Sequence, residues 1–169
     1  PTKKRPFFPS GSYTLLHRDC RRCGLTNAKG YFSILSMFRV VRQIHFCYGH
    51  RLREYAGKCR HPHGHNGRVE VEMAAEKLDR RGMVMDFGEI KIHLQAWIDD
   101  HFDHKMILRK DDPLVKILKK LKEPVYLLAD NPTAENIARE IFRAGRAKGL
   151  PITRVTLWET ENSFATYHL

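Results

Sequence analysis

Apolar and polar positions begin to alternate only after residue 37. From Phe38 to Phe46 the even positions Phe38, Val40, Ile44 and Phe46 are apolar, with Arg42 the one exception, and a period of two marks a strand with one buried face. Val69, Val71 and Met73 alternate with Glu70 and Glu72, which predicts a second strand. The period then lengthens. Phe87, Ile90, Leu94, Trp97 and Ile98 share one helical face, and Asp86 followed by Glu89 forms a capping box, so a helix is expected over about 87–102. A short basic helix from Pro113 to Lys122 is stopped by Pro124. Asn131-Pro132-Thr133 reads as a turn and N-cap, and Ile137, Ala138, Ile141 and Phe142 line a second main helix ending at Gly149-Leu150-Pro151. Two strands, about 152–160 and 163–168, close the chain around a turn at Glu161-Asn162. The predicted order is ββααββ, an α+β domain with a four-stranded antiparallel sheet and two main helices on one face. Such a sheet leaves two open edges, which must be covered or paired with another copy. A homo-oligomer is expected.

Composition sets the frame. A chain of 169 residues with 42% hydrophobic content fits one domain with its own core. Residues 37–169 carry the patterned domain, and residues 1–36 read as a basic, poorly ordered extension; Met37, directly before the pattern, is an alternative start. Of the net charge of +11, +6 falls in residues 1–36. The remaining excess suits a small polyanion better than nucleic acid, although a zinc-stabilised RNA-binding module is the competing reading from another class. No apolar run is long enough to span a membrane, and the N-terminus lacks a secretory signal. Four cysteines among ten histidines lack the even spacing of a disulfide scaffold, so free thiols in a reducing, cytoplasmic setting are expected. Cys20 and Cys23 have no second pair at zinc-site spacing.

The chemistry gathers around Cys59-Arg60-His61-Pro62-His63-Gly64-His65, with His50 upstream. Residues two apart in an extended segment project to one side, so His63 and His65 can face one metal, and His50 supplies a third imidazole. Three nitrogens around zinc leave a fourth position open for water or substrate, as a catalytic site requires. The bland alternative is a solvated loop. Cys59 is either a thiolate base favoured by nearby cations, a packed apolar-like cysteine, or a structural fourth ligand. Cys47, at a strand end, is expected to pack. Asp103 and His104 form a second candidate pair, although adjacent side chains usually diverge. Glu159 lies on a strand rich in apolar residues and needs a partner unless it faces solvent.

The motifs His45-Phe46-Cys47-Tyr48-Gly49-His50-Arg51-Leu52, Cys59-x3-His63-Gly64-His65-Asn66, Gly82-Met83-Val84-Met85-Asp86-Phe87, Phe102-Asp103-His104-Lys105, Pro132-Thr133-Ala134-Glu135-Asn136 and Glu159-Thr160 resemble, in order and near spacing, those of the 6-pyruvoyltetrahydropterin and 6-carboxytetrahydropterin synthases. The resemblance runs from about Phe38 to Tyr167. It implies zinc on His50, His63 and His65, Cys59 as the proton-abstracting thiolate, and Asp103 and His104 as a proton relay. It also implies Glu159 as the anchor of a pterin ring, with Thr133 and Glu135 helping to hold it. The implied fold is the tunnelling fold, three subunits joining their sheets into a barrel and two rings stacking as a hexamer. The substrate implied is a reduced pterin triphosphate. The three-residue gap between Cys59 and His63 resembles the bacterial 6-carboxy type, with the pyruvoyl type as the alternative. Three features depart from the pattern and bear on pocket shape. Gly67 stands where an aromatic usually follows, Cys47-Tyr48-Gly49 replace small residues, and segment 109–130 is longer, with Lys116, Lys119, Lys120 and Lys122 on a basic face.

Overall fold

The computed structural model describes residues 36–169, so the readings made on 1–35, including Cys20 and Cys23, lie outside the described residues. Strand β1, Phe38–His50, pairs antiparallel with β2, His63–Ala75, over their whole lengths. The hydrophobic alternation decides this pairing, because a slip of one residue would turn every core side chain to the opposite face. Ile44, Phe46 and Tyr48 on β1, with Val69, Val71 and Met73 on β2, are buried together. Strand β5, Ile152–Thr160, joins the far side of β2, and β6, Ser163–His168, pairs with β5, both antiparallel.

The sheet is larger than the pattern predicted, and mixed. Two further strands, β3 at Lys105–Arg109 and β4 at Val125–Leu128, add in parallel to the other side of β1, giving the order β4-β3-β1-β2-β5-β6. The expectation of four antiparallel strands is therefore corrected to six. Both new strands are four or five residues long. Ile107 and Leu108, neighbours on β3, are both fully buried. A short strand covered on both faces carries an unbroken apolar run and no alternation to detect.

Three helices of more than one turn are present among the described residues. Helix α1 spans 87–101 and contains one wider π turn at Lys91–Gln95 between the α-helical stretches Phe87–Ile90 and Ala96–His101. The Asp86 carboxylate caps it by accepting from the Gly88 amide. Helix α2, Pro113–Lys120, and helix α3, Ala134–Ala147, are capped in the same way by Asp112 and Thr133. Ile90, Leu94 and Ile98 of α1 and Ile137, Ala138 and Ile141 of α3 complete the core. Gly145 lets α3 approach β5 closely, since a Cβ there would stand 2.1 Å from Ile152 Cδ1.

Candidate metal centre and substrate pocket

The core stripe of the central hairpin ends in histidines. His50, the last residue of β1, is the Cα partner of His63, the first of β2; Tyr48 partners His65, and Phe46 partners Gly67. The strand period that buries Ile44 and Val69 thus carries all three imidazoles onto the same face, at the rim of the core. The extended segment expected to bear His63 and His65 is the start of β2 and not the solvated loop of the bland alternative.

The rings converge. His50 Nε2 lies 3.0 Å from His63 Nε2 and 3.1 Å from His65 Nε2. His50 Nδ1–H donates to the Pro132 carbonyl at 2.6 Å, and His63 Nδ1–H donates to the His61 carbonyl at 2.8 Å. A carbonyl only accepts, so each of these rings carries its proton on Nδ1 and presents a bare Nε2 to the shared point. Lone pairs so close together repel one another unless a cation lies among them. Burial holds the pKa of His50 below its ordinary value, against the opposing pull of the Pro132 carbonyl and the Glu159 carboxylate, and its two histidine neighbours push the same way as burial. A neutral imidazole with its tautomer fixed is the form that binds a metal. With the Nε2 of His65 as the third, these nitrogens fit zinc and leave room for a fourth donor.

The thiol of Cys59 sits close by. Cys59 occupies a single 3-10 turn, Lys58–Arg60, pinned by a bond from the Leu52 amide to its carbonyl at 2.8 Å. It is a half-buried free thiol. The cluster of ligand atoms within 4.8 Å of one another holds the three histidines and does not include Cys59, so this geometry does not make the thiol a fourth ligand. A cavity of about 330 Å³ is lined by His50, Cys59, Thr133, Glu135, Glu159 and Phe164, among others. Five of the predicted site residues therefore face one space, from four separate parts of the chain. Its size is that of a small-molecule pocket.

Two local features aim the other walls. Thr133 caps α3 through its hydroxyl, which accepts from the Asn136 amide, and this places Glu135 in the first turn beside it. The Asn131 side chain bonds both the amide and the carbonyl of Arg53 at 2.8 Å, tying this turn to the chain leaving β1. Glu159 sits where the β5–β6 register shifts between Trp158 and Thr160, and such irregularities re-aim side chains. Its expected partner exists: the buried Tyr48 hydroxyl donates to Glu159 Oε1 at 3.0 Å. Burial and the adjacent carboxylate raise the Tyr48 pKa, which keeps the phenol protonated.

Tyr48 was not singled out as a site residue in the sequence, yet it lies two positions before His50 on the same strand face. Its ring also accounts for Gly67. A Cβ on residue 67 would come within 3.0 Å of Tyr48 Cε1 and 3.4 Å of the Phe46 ring. Two of the three departures from the motif pattern are thus one change, an aromatic on β1 filling the space above a bare position on β2.

Asp103 and His104 lie elsewhere within the chain. Their side chains do not diverge, as adjacent residues usually do: Asp103 Oδ2 accepts from His104 Nδ1–H at 2.7 Å. The reason is the left-handed backbone of His104, with φ at 55°. Asp103 Oδ1 also accepts from the Cys47 amide at 2.8 Å, anchoring the pair to β1. Burial works against the Asp103 carboxylate, but these bonds and the imidazole hold its pKa below the ordinary range. His104 borders a different depression, shared with Cys47, Tyr48, His65 and Asn66. Cys47, expected to pack, is an exposed free thiol that donates to Asn66 Oδ1 at 3.1 Å; it occupies an odd position of β1, opposite the core stripe.

The chain matches known proteins over this same region. The family model for 6-pyruvoyl tetrahydropterin synthase matches residues 39–169. A 6-carboxy-5,6,7,8-tetrahydropterin synthase from Rickettsia conorii is 41% identical over 135 residues, covering 76% of this chain and 98% of the relative. A protein of the same name from Haemophilus influenzae is 32% identical over 139 residues, covering 78% and 99%. Among solved structures, an uncharacterized protein from Wolinella succinogenes superposes with a TM-score of 0.69 at 25% identity, covering 79% of this chain and 98% of that one. The 6-pyruvoyl tetrahydropterin synthase of Caenorhabditis elegans gives 0.58 at 25% identity, covering 79% and 96%. Matched in sequence over nearly the whole of the described region, and in fold by solved structures, this chain belongs to the 6-pyruvoyl tetrahydropterin synthase family.

Proposed function

We propose that the chain is a zinc-dependent 6-carboxy-5,6,7,8-tetrahydropterin synthase, converting 7,8-dihydroneopterin triphosphate and water to 6-carboxytetrahydropterin, acetaldehyde and triphosphate. The observation that carries this is the convergence of three imidazole Nε2 atoms on one point beside a cavity shared by Cys59 and Glu159. The names borne by the bacterial relatives favour the carboxy branch over the pyruvoyl one.

His50, His63 and His65 would hold the ion, which when bound supplies Lewis acidity to the hydroxyls of the substrate side chain and so acidifies the neighbouring C–H. Glu159 accepts two parallel hydrogen bonds from a ring N–H and its adjoining amino group, which fixes the pterin in register. Thr133 and Glu135, which line the same cavity, help to hold the pterin. Cys59, as thiolate, takes the proton from the side-chain carbon. Asp103 holds His104 in one tautomer, with Nδ1 protonated and Nε2 free to exchange a proton. Within one chain His104 does not border the cavity of Cys59, so the relay calls for His104 of a second copy. That requirement agrees with the hexamer of two stacked trimers that the family resemblance implies.

Incubating the zinc-loaded protein with 7,8-dihydroneopterin triphosphate tests the assignment. Acetaldehyde together with a carboxypterin is the expected result. A pyruvoyl product moves the chain to the other branch, and absence of turnover overturns the enzyme assignment in favour of a binding module.

A further inference from the structure

Glu159 has two possible employments in this pocket, and its position is between them. Its Oε1 lies 3.8 Å from His50 Nε2, one of the nitrogens that would hold the ion. In a tetrahedral zinc site with bonds of about 2.0–2.1 Å, neighbouring donor atoms stand about 3.3–3.4 Å apart. The carboxylate is therefore within a small side-chain movement of becoming a ligand. Yet it is not one of the groups whose donor atoms all lie within 4.8 Å of one another around His50, His63 and His65. Something holds it back from that point. The hydroxyl of Tyr48 is the hydrogen-bond donor that reaches it, bonding the same oxygen, Oε1, at 3.0 Å.

Tyr48 is well built for restraint. Its ring is 3% exposed, stacks on Phe46 at 5.3 Å, and lies against His50 at 5.3 Å and His65 at 5.6 Å between centroids. It lies so closely over Gly67 that a Cβ there would stand 3.0 Å from its Cε1. A phenol wedged in this way cannot follow the carboxylate if the carboxylate swings. Its hydroxyl is a fixed donor.

We propose that Tyr48 is a positioning residue that keeps Glu159 out of the metal's coordination sphere, so that the carboxylate stays available to the ring of the substrate and the fourth metal position stays open. A tyrosine at position 48 thereby sets the division of labour between two polar groups that would otherwise combine. This rests on the zinc-site assignment above, and the experiment separates the two.

Zinc affinity is measured by competition with a chromophoric chelator, alongside the absorption spectrum of the cobalt-substituted protein, for wild type, Tyr48→Phe, Glu159→Gln and the double variant. Phenylalanine preserves the packed ring and removes only the hydroxyl. The expected result is metal binding about tenfold tighter in Tyr48→Phe, the scale of effect that outer-shell partners have on metal sites, with a cobalt spectrum altered by carboxylate ligation. Both changes should vanish in Tyr48→Phe/Glu159→Gln, because the neutral amide is a poor ligand. Michaelis constants should rise in Tyr48→Phe as the ring loses its anchor. If Tyr48→Phe binds zinc as wild type does and its cobalt spectrum is unchanged, the role assigned to Tyr48 is wrong while the zinc site stands. If wild type itself binds no stoichiometric ion, the zinc assignment falls first, and the role of Tyr48 falls with it.

Discussion

At the scale of single residues, the proposed site divides into groups that would hold the ion and groups that would meet the substrate. Cys59 and His63 lie four residues apart, yet only the histidine belongs to the converging cluster. Replacing Cys59 by Ala should abolish turnover and leave zinc content near that of the wild type, as measured by elemental analysis. Replacing His63 or His65 by Ala should lose the metal, because two imidazoles hold zinc far more weakly than three. A Cys59→Ala protein that emerges without metal would recast the thiol as a ligand.

The elements show how much of this was legible. The central hairpin, α1, α3 and the closing β5–β6 pair were written in period and capping residues, because each has one buried face long enough to show its repeat. The convergence of His50, His63 and His65 followed from the same period once β2 was extended to His63. The parallel pair β3 and β4 was not legible, since four or five residues, mostly apolar in an unbroken run, are too few to show a repeat. Nor was the bond between Asp103 and His104, which depends on a left-handed backbone that side-chain identity does not announce. Tyr48 was visible only as an oddity until the cross-strand partner of its neighbour Phe46, Gly67, showed what its ring displaces.

Helix α2 carries a prediction of its own. Asp112 is 2% exposed, caps the helix through the Leu114 amide, and takes a two-pronged ion pair from Arg51, the residue after the metal-facing His50. Burial alone would raise its pKa, but the guanidinium and the amide more than reverse this and hold it below the ordinary carboxylate range. A depressed folded value means the stabilisation is complete above the unfolded value near 3.9 and is lost as pH falls through the folded one. Asp112→Asn should therefore cost about 2 kcal/mol in urea unfolding at neutral pH. It should also flatten the dependence of stability on pH on the acid side. An unchanged acid limb would show that this pair is not what the acid titrates.

At the scale of the whole sheet, the described residues leave two edge strands without a partner, the four-residue β4 and the more exposed β6. No helix among the described residues is long and apolar enough to cross a membrane. Unpaired strands of this kind invite association with further copies, and the proposed relay, with His104 and Cys59 bordering different depressions of one chain, would need such association. Light scattering should give a mass of several chains. Mixing the inactive variants Cys59→Ala and His104→Ala under conditions of subunit exchange should restore activity toward ~25% of wild type, the random fraction of sites that draw both intact residues from different copies. No recovery would place both residues in one chain's site.

The bond from His50 Nδ1 to the Pro132 carbonyl would tie an ion held by His50 to the fold at a distance. Pro132 immediately precedes the cap of α3, and Asn131 beside it is laced to Arg53. Stripping the proposed ion with a chelator should free the His50 ring to turn and so release the carbonyl. Amide hydrogens at the opening of α3 should then exchange with deuterium faster than those of its middle, which rest on the core. The first turn of a helix that touches no metal would report whether the metal is there.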